Sequence, residues 1–69
     1  MDQEYFDEYF PEVLKEIKEK FVAEKESGDI DIAYIDVATE ACENHRLTIN
    51  QAAQMLQKVA KLYTEIKEN

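Results

Sequence analysis

Phe6, Phe10, Val13, Ile17 and Phe21 recur at intervals of four, three, four and four, the spacing of one face of an α-helix. Leu14 and Val22 widen that stripe. Acids crowd the front of the segment, and Lys15, Lys18, Lys20 and Lys25 occupy its later turns, an order that complements the helix dipole. Ser27-Gly28-Asp29 reads as the stop, because glycine takes the left-handed conformation that closes many helices. Pro11 leaves the start open. Either the helix begins there, after a short turn over residues 5–10, or it runs through the proline with a kink.

A second helix is expected over about residues 32–44, capped by Asp29 or Asp31, with Tyr34, Ile35, Ala38, Ala41 and Cys42 on one face. Asn44-His45-Arg46 breaks the pattern. Thr48-Ile49-Asn50-Gln51 then fits a capping box. In that motif the Thr48 hydroxyl accepts from a backbone N–H, and the Gln51 side chain reaches back to the N–H of Thr48. Leu47 stands at the hydrophobic-staple position relative to Ala52. From there Ile49, Ala52, Ala53, Leu56, Val59, Ala60, Tyr63 and Ile66 keep helical spacing almost to the end. One glycine and one proline are too few for the turns of a sheet protein. The expected fold is all-α: a compact bundle of three helices with short connections, residues 1–69 forming a single helical domain.

Sixty-nine residues bury only a small core, so the stability margin is thin, on the order of a few kcal/mol. Cys42 is the only cysteine, which excludes an internal disulfide and suits a reducing, cytoplasmic setting. No apolar run approaches a membrane span. Met1-Asp2-Gln3-Glu4 is acidic where a signal peptide is basic, so the chain is expected to start at Met1. The net charge is −8, unevenly spread: residues 1–31 hold eleven acids and four lysines, residues 32–69 five acids and four basic residues. A field of that sign repels phosphate backbones and argues against direct nucleic-acid binding.

Little here resembles catalytic or metal chemistry. His45 is the sole histidine and falls in a predicted turn, where it reads as solvated; Cys42, three residues earlier, reads as a small core residue. The pair has metal-ligand spacing but no further soft ligand to complete a site. Asp29 and Asp31 look like alternate calcium ligands, yet the rest of that loop pattern is missing and capping accounts for both. One glycine cannot make a phosphate-cradling loop. No catalytic residue, cofactor or metal is therefore assigned. Residues 47–53 could open a helix-turn-helix, but residues 54–67 continue without a turn, and Lys58, Lys61 and Lys67 are few against the field.

The opening segment interleaves Asp2, Glu4, Asp7 and Glu8 with Tyr5, Phe6, Tyr9 and Phe10. One helical face buries about half of those rings, so Phe6 and Phe10 are expected in the core and Tyr5 and Tyr9 at its edge. Exposed aromatics among acids also make a docking surface for a basic partner, and the two readings are compatible.

Ala33-Tyr34-Ile35-Asp36-Val37, then Cys42-Glu43-Asn44, Leu47-Thr48-Ile49 and the closing amphipathic helix resemble the core of the late-transcription coactivators of myovirus-type tailed bacteriophages. The resemblance covers about half of the chain. It implies a small, acidic, helical, non-enzymatic protein of the host-cell cytoplasm. Such a protein binds the flap of the β subunit of bacterial RNA polymerase and helps a sigma-like factor recruit polymerase to late promoters. A flap tip is a short helix with apolar side chains, so its receptor is expected to be an apolar groove between helices. Tyr34, Leu47, Ile49 and Leu56 are the candidates for that groove, with Tyr5 and Tyr9 as a second partner contact. Family members that also grip the sliding clamp end in an acidic-hydrophobic tail. This chain closes on Glu65-Ile66-Lys67-Glu68-Asn69, which makes a clamp contact doubtful. Two other classes compete. One is an acidic inhibitor or DNA mimic that occupies a nucleic-acid-binding surface; the other is a helical adaptor with no role in transcription.

Overall fold

Asp2 opens the first helix by accepting a hydrogen bond from the Glu4 backbone N–H at 3.1 Å. In the computed structural model, which describes residues 1–69, this helix, α1, runs unbroken over Gln3–Ser27. Of the two readings of Pro11, the continuous helix is the one observed. Proline cannot donate to the carbonyl four residues back, that of Asp7, but both residues are exposed and water can serve that group. The expected stop is present. Gly28 sits at φ 84°, its N–H donates to the Lys25 carbonyl, and the Asp29 N–H donates to that of Glu24. This is the double closure of a Schellman motif, and any Cβ at a positive φ would strain it.

The second helix, α2, spans Ile30–Glu43 and starts two residues earlier than the pattern indicated. Asp29 holds the N-cap position without a side-chain cap bond, and Asp31 lies inside the first turn, so neither acid caps as expected. The inward face is also rotated. Ile30, Ala33, Val37 and Ala41 are buried, Tyr34 and Ala38 are half-buried, and Ile35 and Cys42 are exposed. The cause lies in composition: α2 is apolar on more than one side, so spacing alone does not choose which side turns inward.

The third helix, α3, covers Ile49–Glu68 behind the complete capping box. The Gln51 N–H donates to Thr48 Oγ1 at 3.1 Å, and the Thr48 N–H donates to Gln51 Oε1 at 3.0 Å. Its buried residues are Gln51, Met55 and Val59; Val59 stands in the expected stripe, Gln51 and Met55 lie beside it, and Ile49 and Ala53, placed on the inner stripe by spacing, are exposed.

The core joins Ile17 and Phe21 of α1, the four buried residues of α2, and Met55 and Val59 of α3. At one end of the bundle Phe21 is fully buried and meets Tyr34 and Tyr63 edge-on at 6.5 and 6.3 Å, while those two tyrosines stack at 4.3 Å. Edge-to-face and stacked pairs add about 0.5–1.5 kcal/mol each beyond area burial. Lys25 reaches across to the Ile66 carbonyl at 2.7 Å, satisfying one of the orphan carbonyls at the end of α3. At the opposite end the Gln51 amide donates to the Met1 carbonyl at 2.7 Å and to Gln3 Oε1 at 3.2 Å, and the Met1 amino group donates to the Arg46 carbonyl. Both ends of the bundle are therefore tied by polar contacts between elements distant in sequence. No helix is long and apolar enough to cross a membrane.

Candidate functional site

Three helices packed side by side leave three outer flanks, and their chemistry differs. The flank between α2 and α3 is located by the Tyr34–Tyr63 stack. Steps of four from Tyr34 reach Ala38 and Cys42. Steps of three or four back from Tyr63 reach Ala60, Leu56, Ala53 or Ala52, and Ile49. Ile35, beside Ala38, lines its outer edge. Ile35 is 61% exposed and Ile49 89%. Beyond the Asp31–Lys67 pair these rows contain no Asp, Glu, Lys or Arg. The chain as a whole is 35% charged, so an uncharged flank that exposes isoleucine is the departure to be explained.

That flank has a polar end. Asp31 accepts from the Tyr63 hydroxyl and from Lys67 Nζ at 2.9 Å, and Lys67 also donates to the Tyr63 oxygen at 3.1 Å. The Tyr63 hydrogen bond, followed by that of Lys67, holds the Asp31 carboxyl below the usual carboxylate range, and the bond to Asp31 raises the Lys67 ammonium. Depression of an acid's pKa on folding contributes stability that is present above the unfolded value and is lost as pH falls through the folded one. The raised lysine contributes below its unfolded value and loses that contribution at strongly alkaline pH. Asp31→Asn should therefore lower the melting temperature near pH 7 and narrow its fall between pH 7 and pH 2.5. Thermal melts of both proteins at the two pH values check this; an identical fall would remove the cluster from the acid response.

The flank between α1 and α2 is acidic. A groove of about 260 Å³ runs along it, floored by Val13, Ile17, Val37, Ala41 and Met55, with Glu16 and Lys20 on one wall and Glu40 and Asn44 on the other. Tyr9 closes one end. Glu12 and Asp36 precede the two wall glutamates by one turn each and so extend the acidic walls. The flank between α1 and α3 is lysine-rich. Lys15 and Lys18 surround Pro11, Leu14 and Leu62, and Lys58 lies one turn before Leu62.

The sequence-derived candidates separate into two groups in this layout. Tyr34, Ile49 and Leu56 share the uncharged flank; Leu47 lies in the α2–α3 connection, half-buried and packed on the core. Tyr5 and Tyr9 stack on each other at 5.8 Å on α1, away from that flank: Tyr9 at the acidic groove, Tyr5 beside His45 and Arg46. Phe6 is buried and Phe10 half-buried, stacked on it at 5.1 Å, so the division of the four front rings follows the expectation. Ile35 was missed as a surface residue because it had been assigned inward; the available signal was the excess of apolar residues around α2. His45 is exposed as expected, whereas Cys42 is exposed and not a core residue. No three His, Cys, Asp or Glu side chains converge as a metal site would require. Comparison with protein-family models, curated proteins and solved structures gives no match.

Proposed function

We propose that this domain is a non-catalytic regulator of transcription that docks on bacterial RNA polymerase at the β flap, beside a sigma-like factor, and modulates late promoter use. The observation that carries the reading is the uncharged α2–α3 flank, with Ile35 and Ile49 facing solvent on a protein of net charge −8. An apolar helix such as a flap tip lays its side chains against a flank of this kind, between two helices. The segments that resemble the phage coactivators, Ala33–Val37, Cys42–Asn44 and Leu47–Ile49, fall on α2, in the α2–α3 connection and at the start of α3, the elements that border this flank. The net charge of −8 disfavours contact with DNA, whose phosphates carry the same sign.

Ile35→Asp with Ile49→Asp tests the reading at its contact surface. Both side chains are exposed, so the melting temperature should change little, while retention of polymerase on the immobilised domain should weaken by roughly 2 kcal/mol or more. Unchanged retention would move the contact elsewhere.

A second reading has its own support in the acidic α1–α2 flank: a mimic that occupies a nucleic-acid-binding surface. Lys20 interrupts that flank, and beyond Lys15 acids and lysines alternate along α1. Salt separates the two, because a mimic loses affinity steeply as salt rises and an apolar grip does so only modestly.

A further inference from the structure

The α1–α2 groove combines an apolar floor with acidic walls. Its floor is formed by Val13, Ile17, Val37, Ala41 and Met55, and its two walls each carry a glutamate, Glu16 and Glu40. The one ion pair in the structure is Lys67–Asp31, at the far side of the bundle, so neither wall glutamate has a cationic partner within the chain. Lys20 stands on the same wall as Glu16 without pairing with it. At about 260 Å³ the groove falls below the roughly 300–1,000 Å³ of small-molecule and cofactor pockets, and suits one or two side chains.

We propose that this groove is a second docking site, for a basic amphipathic helix of a protein partner. An arginine or lysine of that helix lays its aliphatic stem against half-buried Val13, over the narrow seam that the core residues Ile17, Ala41 and Met55 leave open. Its cationic head sits between Glu16 and Glu40. Long basic side chains divide in this way between apolar and charged surroundings. Tyr9, at the end of the groove, offers a ring face to a neighbouring cation. Complementary charge selects the occupant: Glu12 and Asp36 extend the acidic walls, so an acidic or neutral helix is repelled or unrewarded there. The site lies on the opposite side of α2 from the uncharged flank, so both faces can be filled at once and the domain can bridge two protein segments. This inference does not rest on the polymerase reading, because the groove's ligand is defined by its own walls.

The test is a ¹H–¹⁵N NMR titration of the full chain with a synthetic helical peptide carrying leucine and arginine on one face. A peptide of the same pattern with glutamate in place of arginine is the control. Shifts should cluster at residues 9–20, 37–44 and Met55, and the control peptide should leave them unmoved. Glu16→Gln with Glu40→Gln should weaken binding roughly fivefold at low salt, as the loss of two partly exposed ion pairs implies. Glu19→Gln with Glu26→Gln removes the same net charge away from the groove walls and should leave affinity nearly unchanged. All four glutamates are exposed, so these variants keep the fold. The proposal is overturned by any of three results: no binding at millimolar peptide, shifts on another flank, or equal weakening by the two double variants. None of these bears on retention of polymerase by the α2–α3 flank.

Discussion

Phe21→Ala should leave the domain largely unfolded at room temperature. Phe21 is 0% exposed and sits where all three helices meet, its ring edge-on to both Tyr34 and Tyr63. Truncating a buried phenylalanine to alanine costs about 3–5 kcal/mol through lost transfer energy and the cavity left behind. A single core in a chain this short supplies about 3–5 kcal/mol in total, so the substitution consumes most or all of the margin. Tyr34 and Tyr63 also lose the ring that sets their separation, which carries the damage to the end of the uncharged flank. Far-ultraviolet circular dichroism at 25 °C should show most of the helical signal gone, whereas Phe21→Leu should still melt cooperatively at a lower temperature. A Phe21→Ala protein that melts within a few degrees of the parent would mean that this aromatic cluster adds little to the core.

Gln51→Ala should cost about 2–4 kcal/mol, well above Thr48→Ala, which removes a cap alone and should cost about 0.5–2 kcal/mol. Gln51 is 1% exposed, yet every polar atom of its amide is engaged: Oε1 accepts from Thr48, and Nε2 donates to the Met1 carbonyl and to Gln3 Oε1. Alanine removes half of the capping box and leaves the Thr48 N–H and the Met1 carbonyl without their partners. Thr48 is exposed and Met1 half-buried, so water reaches part of what is left. The loss falls toward the lower end of the about 1–3 kcal/mol of a buried group, and the rest of the cost is the lost packing of the buried Gln51 side chain. Gln51→Glu provides the contrast, since a carboxylate keeps the acceptor for Thr48 but loses both donors and faces two oxygens. Chemical denaturation of the three variants should rank Thr48→Ala as the mildest. Equal losses for Thr48→Ala and Gln51→Ala would mean that the link from α3 to the start of α1 adds nothing to stability.

Gln51 also marks the boundary of what is legible in the linear sequence. Its role in the capping box is local, set by a spacing of three, and could be read from Thr48-Ile49-Asn50-Gln51. Its role between α3 and α1 depends on partners 48 and 50 residues away, which no local pattern encodes. The same division holds elsewhere. The Gly28 stop and the three helices follow from backbone preference and periodicity, which act within a few residues. The rotation of α2 does not, because apolar side chains surround much of it and the choice is made by Phe21 and Tyr63 packing on Tyr34. Helical spacing placed Ile35 inside for that reason, and it emerges on the flank that carries the proposed contact, beside Ile49, which was already a candidate for the groove between helices. Tyr34 and Leu56, named with Leu47 and Ile49 as candidates for an inter-helix edge, are half-buried between α2 and α3. The separation of acidic, uncharged and lysine-rich flanks appears only after α1 and α3 are set against α2. In the sequence the same charges show merely as an acidic front half.

Co-purification with polymerase carrying or lacking its β flap tip tests the central claim most directly. Immobilised domain should retain intact polymerase at moderate salt and lose it when the flap-tip helix is deleted, and Ile35→Asp with Ile49→Asp should reproduce that loss on the intact enzyme. Equal retention of both polymerases would contradict flap docking, and retention of neither would remove the polymerase reading in favour of an inhibitor or an adaptor.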